Sequence, residues 1–361
     1  MNILILANND MGLYKFRKEL VQALLPKYTV HICVPEGSFT QELRQLGAHV
    51  IDCPYLSRHG TNPLQDIRLY CFYVHMLKQI QPSVVLTYTI KPNIYGGMAC
   101  AKLHIPYVAN ITGLGTAVEK PGMLQKLTLA LYKHGLRQAQ KVFFQNTANR
   151  DFMLVHGVVT TPYVVLPGSG VNLAEHTALL YPTQGKTNFL FVARILKEKG
   201  IDLYLSAARK FSSPMVKFHI CGPFDSPDYQ EKVEQAVKNG FVLYHGQQKD
   251  MKPFFEQCAC LLHPSWYPEG MSNVLLEAAA SARPAITTNR AGCREVVEDG
   301  KTGFIVPVQD EQAFLKAVER FLALPWEERK QMGLNARAKV EKEFDRQLVV
   351  QAYLKELEGI R

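Results

Sequence analysis

The chain has 361 residues, 47% hydrophobic and 20% charged, which fits two cores of ordinary domain size and excludes a disordered or fibrous protein. Its formal net charge of +9 is uneven: residues 1–165 hold 16 Lys and Arg against 8 Asp and Glu, whereas residues 166–361 hold 25 against 24. No run of eighteen apolar residues spans a membrane, and the opening MNILILANND starts a strand without a leader's basic region or cleavage site, so a cytoplasmic protein is expected.

From the N-terminus, NILILAN predicts a strand, YKFRKELVQALLP a helix, TVHICVPE a strand and FTQELRQLG a helix. AHVIDCPY, LQDIRLYCFYVHMLKQIQ, SVVLTYT, NIYGGMACAKLH, YVANITG, a long helix near 122–140, KVFFQN and ANRDFMLVHG continue the alternation. VVLPGSGVNLAEHTALLYPTQGKT, rich in Gly, Pro and Thr, predicts a connection between domains. The alternation then restarts with NFLFVARI, KGIDLYLSAARKF, VKFHICGP, DYQEKVEQAVKNG, FVLYHG, MKPFFEQC, ACLLHP, a helix from about 272, PAITTN, GCREVVEDG and TGFIVP. Charged helical sequence fills 311–360.

Strand–helix alternation at this spacing implies parallel strands joined by right-handed crossovers. The fold class expected is α/β with two Rossmann-like domains. Residues 1–168 form the first, residues 169–340 the second, and residues 341–361 a helix returning to the first. The eight cysteines lie scattered, without C-x-x-C, and Cys258 and Cys260 are too close for a zinc knuckle. Buried reduced thiols and no metal are expected.

Ligands of open α/β sheets bind beyond the carboxyl ends of the strands, often at helix N-termini. The segment HPSWYPEGMSNVLLEAAASARP, residues 263–284, has that form: a strand ends near His263, a glycine-containing loop follows, and a helix starts near Ser272. Amides of Gly270, Met271, Ser272 and Asn273 are expected to point toward a phosphate. Glu269 and Glu277, with seven residues between them, flank this turn, and Glu277 is placed to accept hydrogen bonds from a ribose diol.

The E-x7-E pattern of EGMSNVLLE, followed by PAITTNRAGCREVVEDGKTGFIVP, resembles the donor site of the retaining family 4 (GT4) glycosyltransferases, and VARILKEKG resembles their R-x4-K-G motif. The resemblance runs over essentially the whole chain and is strongest from 190 to 310. It implies the GT-B fold, two Rossmann-like domains facing across a cleft. The first, 1–168, would take the acceptor and the second, 169–340, the nucleotide sugar. It further implies that Arg194 and Lys199 grip the donor diphosphate, as suits a forked guanidinium and a compact ammonium. Glu269 would approach the transferred sugar and Glu277 bind the ribose. Gly222 and Pro223, beside Cys221, would contribute to the base-side wall. No D-x-D clamp occurs, so no divalent ion or other cofactor is implied.

On the acceptor side, Gly12 in ANNDMG follows the first strand, where backbone could approach the donor phosphates. TIKPNIYGG and NITGLGTAVEKPG also follow strands, and the GLG of the second resembles transferases acting on polyprenyl-diphosphate-linked sugars in O-antigen, capsule or glycoprotein glycan assembly. The histidine common after these strands is replaced by Ile90-Lys91 and Thr112-Gly113, which leaves the acceptor-side base unassigned; Lys91 and Asp10 are the groups at hand. In residues 122–141, Lys126, Lys133 and Arg137 fall on one helical line, with Lys141 adjacent. Each could contribute about 1 kcal/mol beside anionic lipid, so peripheral contact with the inner face of the cytoplasmic membrane is expected, through the basic N-terminal domain.

The expected activity is retaining transfer of a hexose or N-acetylhexosamine from a UDP-linked donor to a polyprenyl-diphosphate-linked glycan. Two other readings stay open. A GT-B sugar-nucleotide epimerase shares the architecture but transfers nothing. A silent nucleotide-sugar binder would be expected to lack Arg194, Lys199 or Glu277, all of which are present. No nucleic-acid-binding signature accompanies the charge, and no G-x-G-x-x-G follows the first strand.

Overall fold

The computed structural model describes residues 1–56 and 62–360. Two compact units emerge. Unit 1 comprises Met1–Gly170, Pro268–Met271 and the chain from Arg346 onward; unit 2 comprises Val171–Tyr267 and Ser272–Asp345.

In unit 1, strands β1 (Asn2–Leu6), β2 (Thr29–Val34), β3 (His49–Asp52), β4 (Val84–Tyr88), β5 (Tyr107–Ile111), β6 (Lys141–Phe144) and β7 (Tyr163–Val165) form one sheet in the order β3-β2-β1-β4-β5-β6-β7. Every pairing in it is parallel. Alternate residues of β1 serve opposite faces: Leu4 and Leu6 join a core with Tyr73, Leu129, Tyr132 and Leu136, while Ile3 and Ile5 join another with Leu13, Leu20, Tyr353 and Leu357. Burial on both faces explains why these strands read as continuous apolar runs. Helices Pro63–Ile80, Gly97–Leu103 and Met123–Leu136 cover the first face; Asp10–Leu24 and Arg346–Glu358 pack together on the second. The last of these is fastened by Arg346, whose buried guanidinium meets Glu19 at 2.9 Å and donates to the carbonyls of Lys15 and Gly170.

Unit 2 holds β8 (Thr187–Val192), β9 (Val216–Cys221), β10 (Leu243–Tyr244), β11 (Cys260–His263), β12 (Ala285–Thr288) and β13 (Gly303–Val306), parallel, in the order β10-β9-β8-β11-β12-β13. Phe189, Phe191, Phe218, Ile220, Leu262 and Phe314 lie in its core. The two parallel α/β sheets are the fold class expected from the alternation.

Several elements differ from expectation. The first helix begins at Asp10 rather than Tyr14, because Asn9 caps it by accepting from the Gly12 amide at 2.6 Å. NIYGGMACAKLH is a π-turn, Pro92–Gly96, running into the helix Gly97–Leu103. β7 arises inside the stretch read as connection, a three-residue strand on the sheet edge too short to alternate visibly. The 311–360 stretch is three helices, Glu311–Ala323, Trp326–Glu343 and Arg346–Glu358, parted at Pro325 and at Phe344-Asp345. The helix in unit 1 therefore starts at Arg346, not 341, since Trp326–Glu343 packs on Asn273–Ala280 of unit 2.

Candidate active site

In unit 2 the chemistry collects at the carboxyl ends of β8, β9 and β11. Arg194 follows β8, and its Nη1 donates to both carboxylate oxygens of Asp225, at 3.0 and 3.1 Å. Lys199 closes the short 3-10 turn Lys197–Lys199 at the entrance to helix Ile201–Phe211. Tyr267, which follows β11, lies under both cations, with its ring centroid 5.7 Å from the Arg194 guanidinium and 4.8 Å from the Lys199 ammonium. Two chain segments are laced together to hold this arrangement: Trp266 donates its amide to the Glu198 carbonyl at 2.8 Å. Gly200 sits at φ +78° where a Cβ would come 2.1 Å from the Pro264 carbonyl oxygen. Only glycine combines that backbone with that approach, which is why K-G closes the motif.

Glu277 stands half-buried in the second turn of helix Asn273–Ala280. Ser272 precedes that helix in extended conformation, but its amide donates to the Gly292 carbonyl at 2.7 Å and its hydroxyl meets His263 Nε2 at 3.1 Å. The phosphate cradle expected from the sequence is corrected at one of its four amides: that of Ser272 is taken within the fold. Gly270 and Met271 belong to unit 1. Gly222 and Pro223 follow β9 as expected, yet their backbone groups are occupied. The Gly222 amide donates to Gly246 and its carbonyl accepts from Tyr244, while the Pro223 carbonyl accepts from Ile195. They can shape a wall without offering it those hydrogen bonds.

In unit 1, the segment Pro268–Met271 lies beyond the carboxyl ends of β5 and β6. Asn146 donates Nδ2 to the carbonyls of Gly270 and Glu269, the latter at 3.3 Å. Met271 is buried and abuts Gly168, and Glu269 is half-buried. Gly12 is corrected as well. It lies in the first turn of a helix with its amide on Asn9, so it is no open phosphate-facing loop. Nor do the groups at hand read as an acceptor-side base. Asp10 is buried and accepts from the Phe39 amide at 2.7 Å. Lys91 is ion-paired with Asp66 at 2.7 Å, and an ammonium has no lone pair to receive a proton. Lys126, Lys133 and Arg137 are exposed, whereas Lys141 turns to Glu356 and leaves the stripe.

Sequence reasoning missed Tyr267, Asp225 and Asn146. An aromatic, an acid and an amide in loops carry no periodic signal; only the position of Tyr267 two residues before Glu269 hinted at a role.

Residues 181–339 match the family model for glycosyl transferases group 1, and residues 2–146 match that for glycosyl transferase 4-like proteins. The chain belongs to the group 1, GT4-like glycosyltransferases. This glycosyltransferase is 25% identical, over an alignment of 374 residues covering 98% of both chains, to the N,N'-diacetylbacillosaminyl-diphospho-undecaprenol alpha-1,3-N-acetylgalactosaminyltransferase of Campylobacter jejuni. Its fold is that of Anabaena HepE in complex with UDP-glucose, with TM-score 0.82 and 18% identity, covering 99% of this chain and 100% of that one. It also matches the sucrose-phosphate synthase of Thermosynechococcus elongatus, with TM-score 0.81 and 16% identity, covering 100% and 99%. The GT-B architecture expected from the resemblance is therefore the one observed. Among the described residues no helix of the glycosyltransferase is long and apolar enough to cross a membrane, and no group of three or more His, Cys, Asp or Glu is arranged to hold a metal ion.

Proposed function

We propose that this glycosyltransferase is a retaining enzyme. It moves a hexose or N-acetylhexosamine from a nucleoside-diphosphate sugar, UDP-linked, to a polyprenyl-diphosphate-linked glycan in surface polysaccharide or glycan assembly. The observation that carries the donor half is the pair Arg194 and Lys199, gathered on the Tyr267 ring at the carboxyl edge of the unit 2 sheet. A leaving diphosphate gains negative charge as the glycosidic bond breaks, and prearranged cations stabilise that charge without reorganising. Glu277 takes the ribose and Glu269 the transferred sugar. The cations supply the field that a metal would otherwise provide, so catalysis needs no added ion. Unit 2 binds the donor and unit 1 the acceptor. The UDP-glucose in the HepE complex supports the choice of donor, and the full-length likeness to the Campylobacter transferase supports the choice of acceptor.

Peripheral membrane contact at the inner face of the cytoplasmic membrane completes the reading. Helices Pro63–Ile80 and Met123–Leu136 pack on the same core and both begin beyond the carboxyl ends of the strands they follow. Their first two turns expose Leu64, Ile67, Met123, Leu124 and Leu127, with Met123 87% exposed. Met123, Leu124 and Leu127 share their helix with Lys126 and Lys133, with Arg137 just past its end, which supports a surface with both the apolar and the cationic chemistry of a lipid interface.

The test is turnover of a panel of UDP-, GDP-, ADP- and dTDP-sugars with a short polyprenyl-diphosphate acceptor and EDTA present. A product should appear with a UDP-sugar, α-linked by NMR, and Arg194→Ala or Lys199→Ala should cut kcat/KM about a hundredfold. A β-linked product from an α-donor, loss of activity in EDTA, or epimerised nucleotide sugar without transfer would each overturn the corresponding part.

A further inference from the structure

We propose that Asn146 is a positioning residue that holds the backbone of Glu269 in place; the proposal rests on the reading of Glu269 as the residue at the transferred sugar. Asn146 is 2% exposed and lies between β6 and helix Thr147–Val155. Both ends of its side chain are used. Oδ1 accepts from the Asn149 amide at 2.7 Å, capping the helix. Nδ2 donates to the carbonyls of Gly270 and Glu269. The amide has one chemically consistent orientation, since exchanging its ends would set NH2 against an N–H and an oxygen against two carbonyls.

The consequence lies in which groups are held. Fixing the carbonyls of Glu269 and Gly270 fixes the two peptide planes on either side of the Gly270 Cα, and the first of these planes contains the Glu269 Cα from which its side chain leaves the backbone. Asn149 Nδ2 reaches the same Glu269 carbonyl at 3.5 Å, a long secondary contact. Around this point the backbones close in. A Cβ on Gly270 would lie 2.3 Å from Gln145 Oε1 and 2.5 Å from the Thr112 carbonyl oxygen. A Cβ on Gly113, at φ +142°, would lie 3.2 Å from the Gly270 nitrogen. The loops after β5 and β6 thus form a tight seat, and Asn146 is the donor that sets the segment into it. A helix cap alone needs only Oδ1; the two donations from Nδ2 serve the Glu269 segment.

Asn146→Asp separates the two duties. Asp caps a helix as well as Asn, but it cannot donate and sets a carboxylate oxygen against two carbonyls. Asn146→Ser keeps a capping hydroxyl, which has a single shorter-reaching O–H and cannot donate to both carbonyls, and it guards against a failure of the Asp variant to fold. Both should keep UDP affinity within about twofold, because Arg194, Lys199 and Glu277 lie in unit 2, while kcat falls about a hundredfold, the scale of an ångström-sized misplacement. Combined with Glu269→Gln, the losses should not multiply: Asn146→Asp/Glu269→Gln should turn over within about threefold of Glu269→Gln alone. Folded Asp and Ser variants with kcat within twofold of wild type, or losses that multiply with that of Glu269→Gln, overturn the proposal and leave the assignment of Glu269 intact. Wild-type turnover by Glu269→Gln removes both.

Discussion

Replacing Tyr267 by Leu keeps an apolar side chain of similar reach but removes the ring on which Arg194 and Lys199 gather. Two cation–ring contacts, at 5.7 and 4.8 Å, are each worth about 0.5–1 kcal/mol at partly exposed positions. Holding two long cationic side chains in place before the diphosphate arrives saves a similar amount of ordering cost on binding. About 1–2 kcal/mol of donor affinity therefore depends on the ring, or roughly 5- to 30-fold in Kd. Titration calorimetry of UDP against wild type, Tyr267→Leu and Tyr267→Phe reads this directly. The Phe variant keeps a ring face and should bind within about twofold of wild type. Equal affinity of the Leu variant and wild type, or a Phe variant as weak as Leu, would refute the claim that the ring organises the diphosphate cations.

Three further outcomes are expected. Glu277→Gln exchanges a charged acceptor for a neutral one, which should weaken UDP binding by about 1–2 kcal/mol with little change in Tm; unchanged affinity would unseat the ribose assignment. His219, hydrogen-bonded and stacked with His245, is pushed down to about 4, by burial first and then by His245. A depressed histidine disfavours its protonated form in the fold, so stability is full above about pH 6.5 and declines as pH falls toward 4. About 2 kcal/mol is at stake once solvent screening is allowed for, and His219→Gln should flatten the Tm profile across that window; an unchanged slope rejects the pair as its cause. Reversing Lys126, Lys133 and Arg137 to Glu should abolish flotation with anionic vesicles at low salt while sparing UDP binding, and flotation equal to wild type would reduce the stripe to a solvated face.

The fold was legible because both sheets are parallel and covered on both faces, which turns strands such as NILIL and VKFHIC into apolar runs set between amphipathic helices. Arg194 and Lys199 were legible for a related reason: a motif directly after a strand of such a sheet has few places to go. The fate of backbone amides was not legible. Whether Ser272 points its N–H at a ligand or at Gly292 depends on a partner twenty residues away, and Gly12 looked like a loop glycine because the Asn9 cap lies within a run of polar residues that reads equally as turn. The same holds for Pro268–Met271. It is flanked on both sides by unit 2 sequence, and its place in unit 1 follows from Asn146 and the bare Cα of Gly270, neither of which leaves a periodic trace.

The helix Arg346–Glu358 has a bearing on how the protein is made. It supplies Val349, Val350, Tyr353 and Leu357 to one of the two cores of unit 1, and the Tyr353 hydroxyl donates to the buried amide oxygen of Asn110. A ribosome therefore delivers the first 170 residues with one sheet face covered only in part, by Asp10–Leu24, and the rest of its cover emerges only after unit 2. At about 5–20 residues per second the nascent chain carries that half-covered apolar face for about ten seconds or more before the last helix can close it.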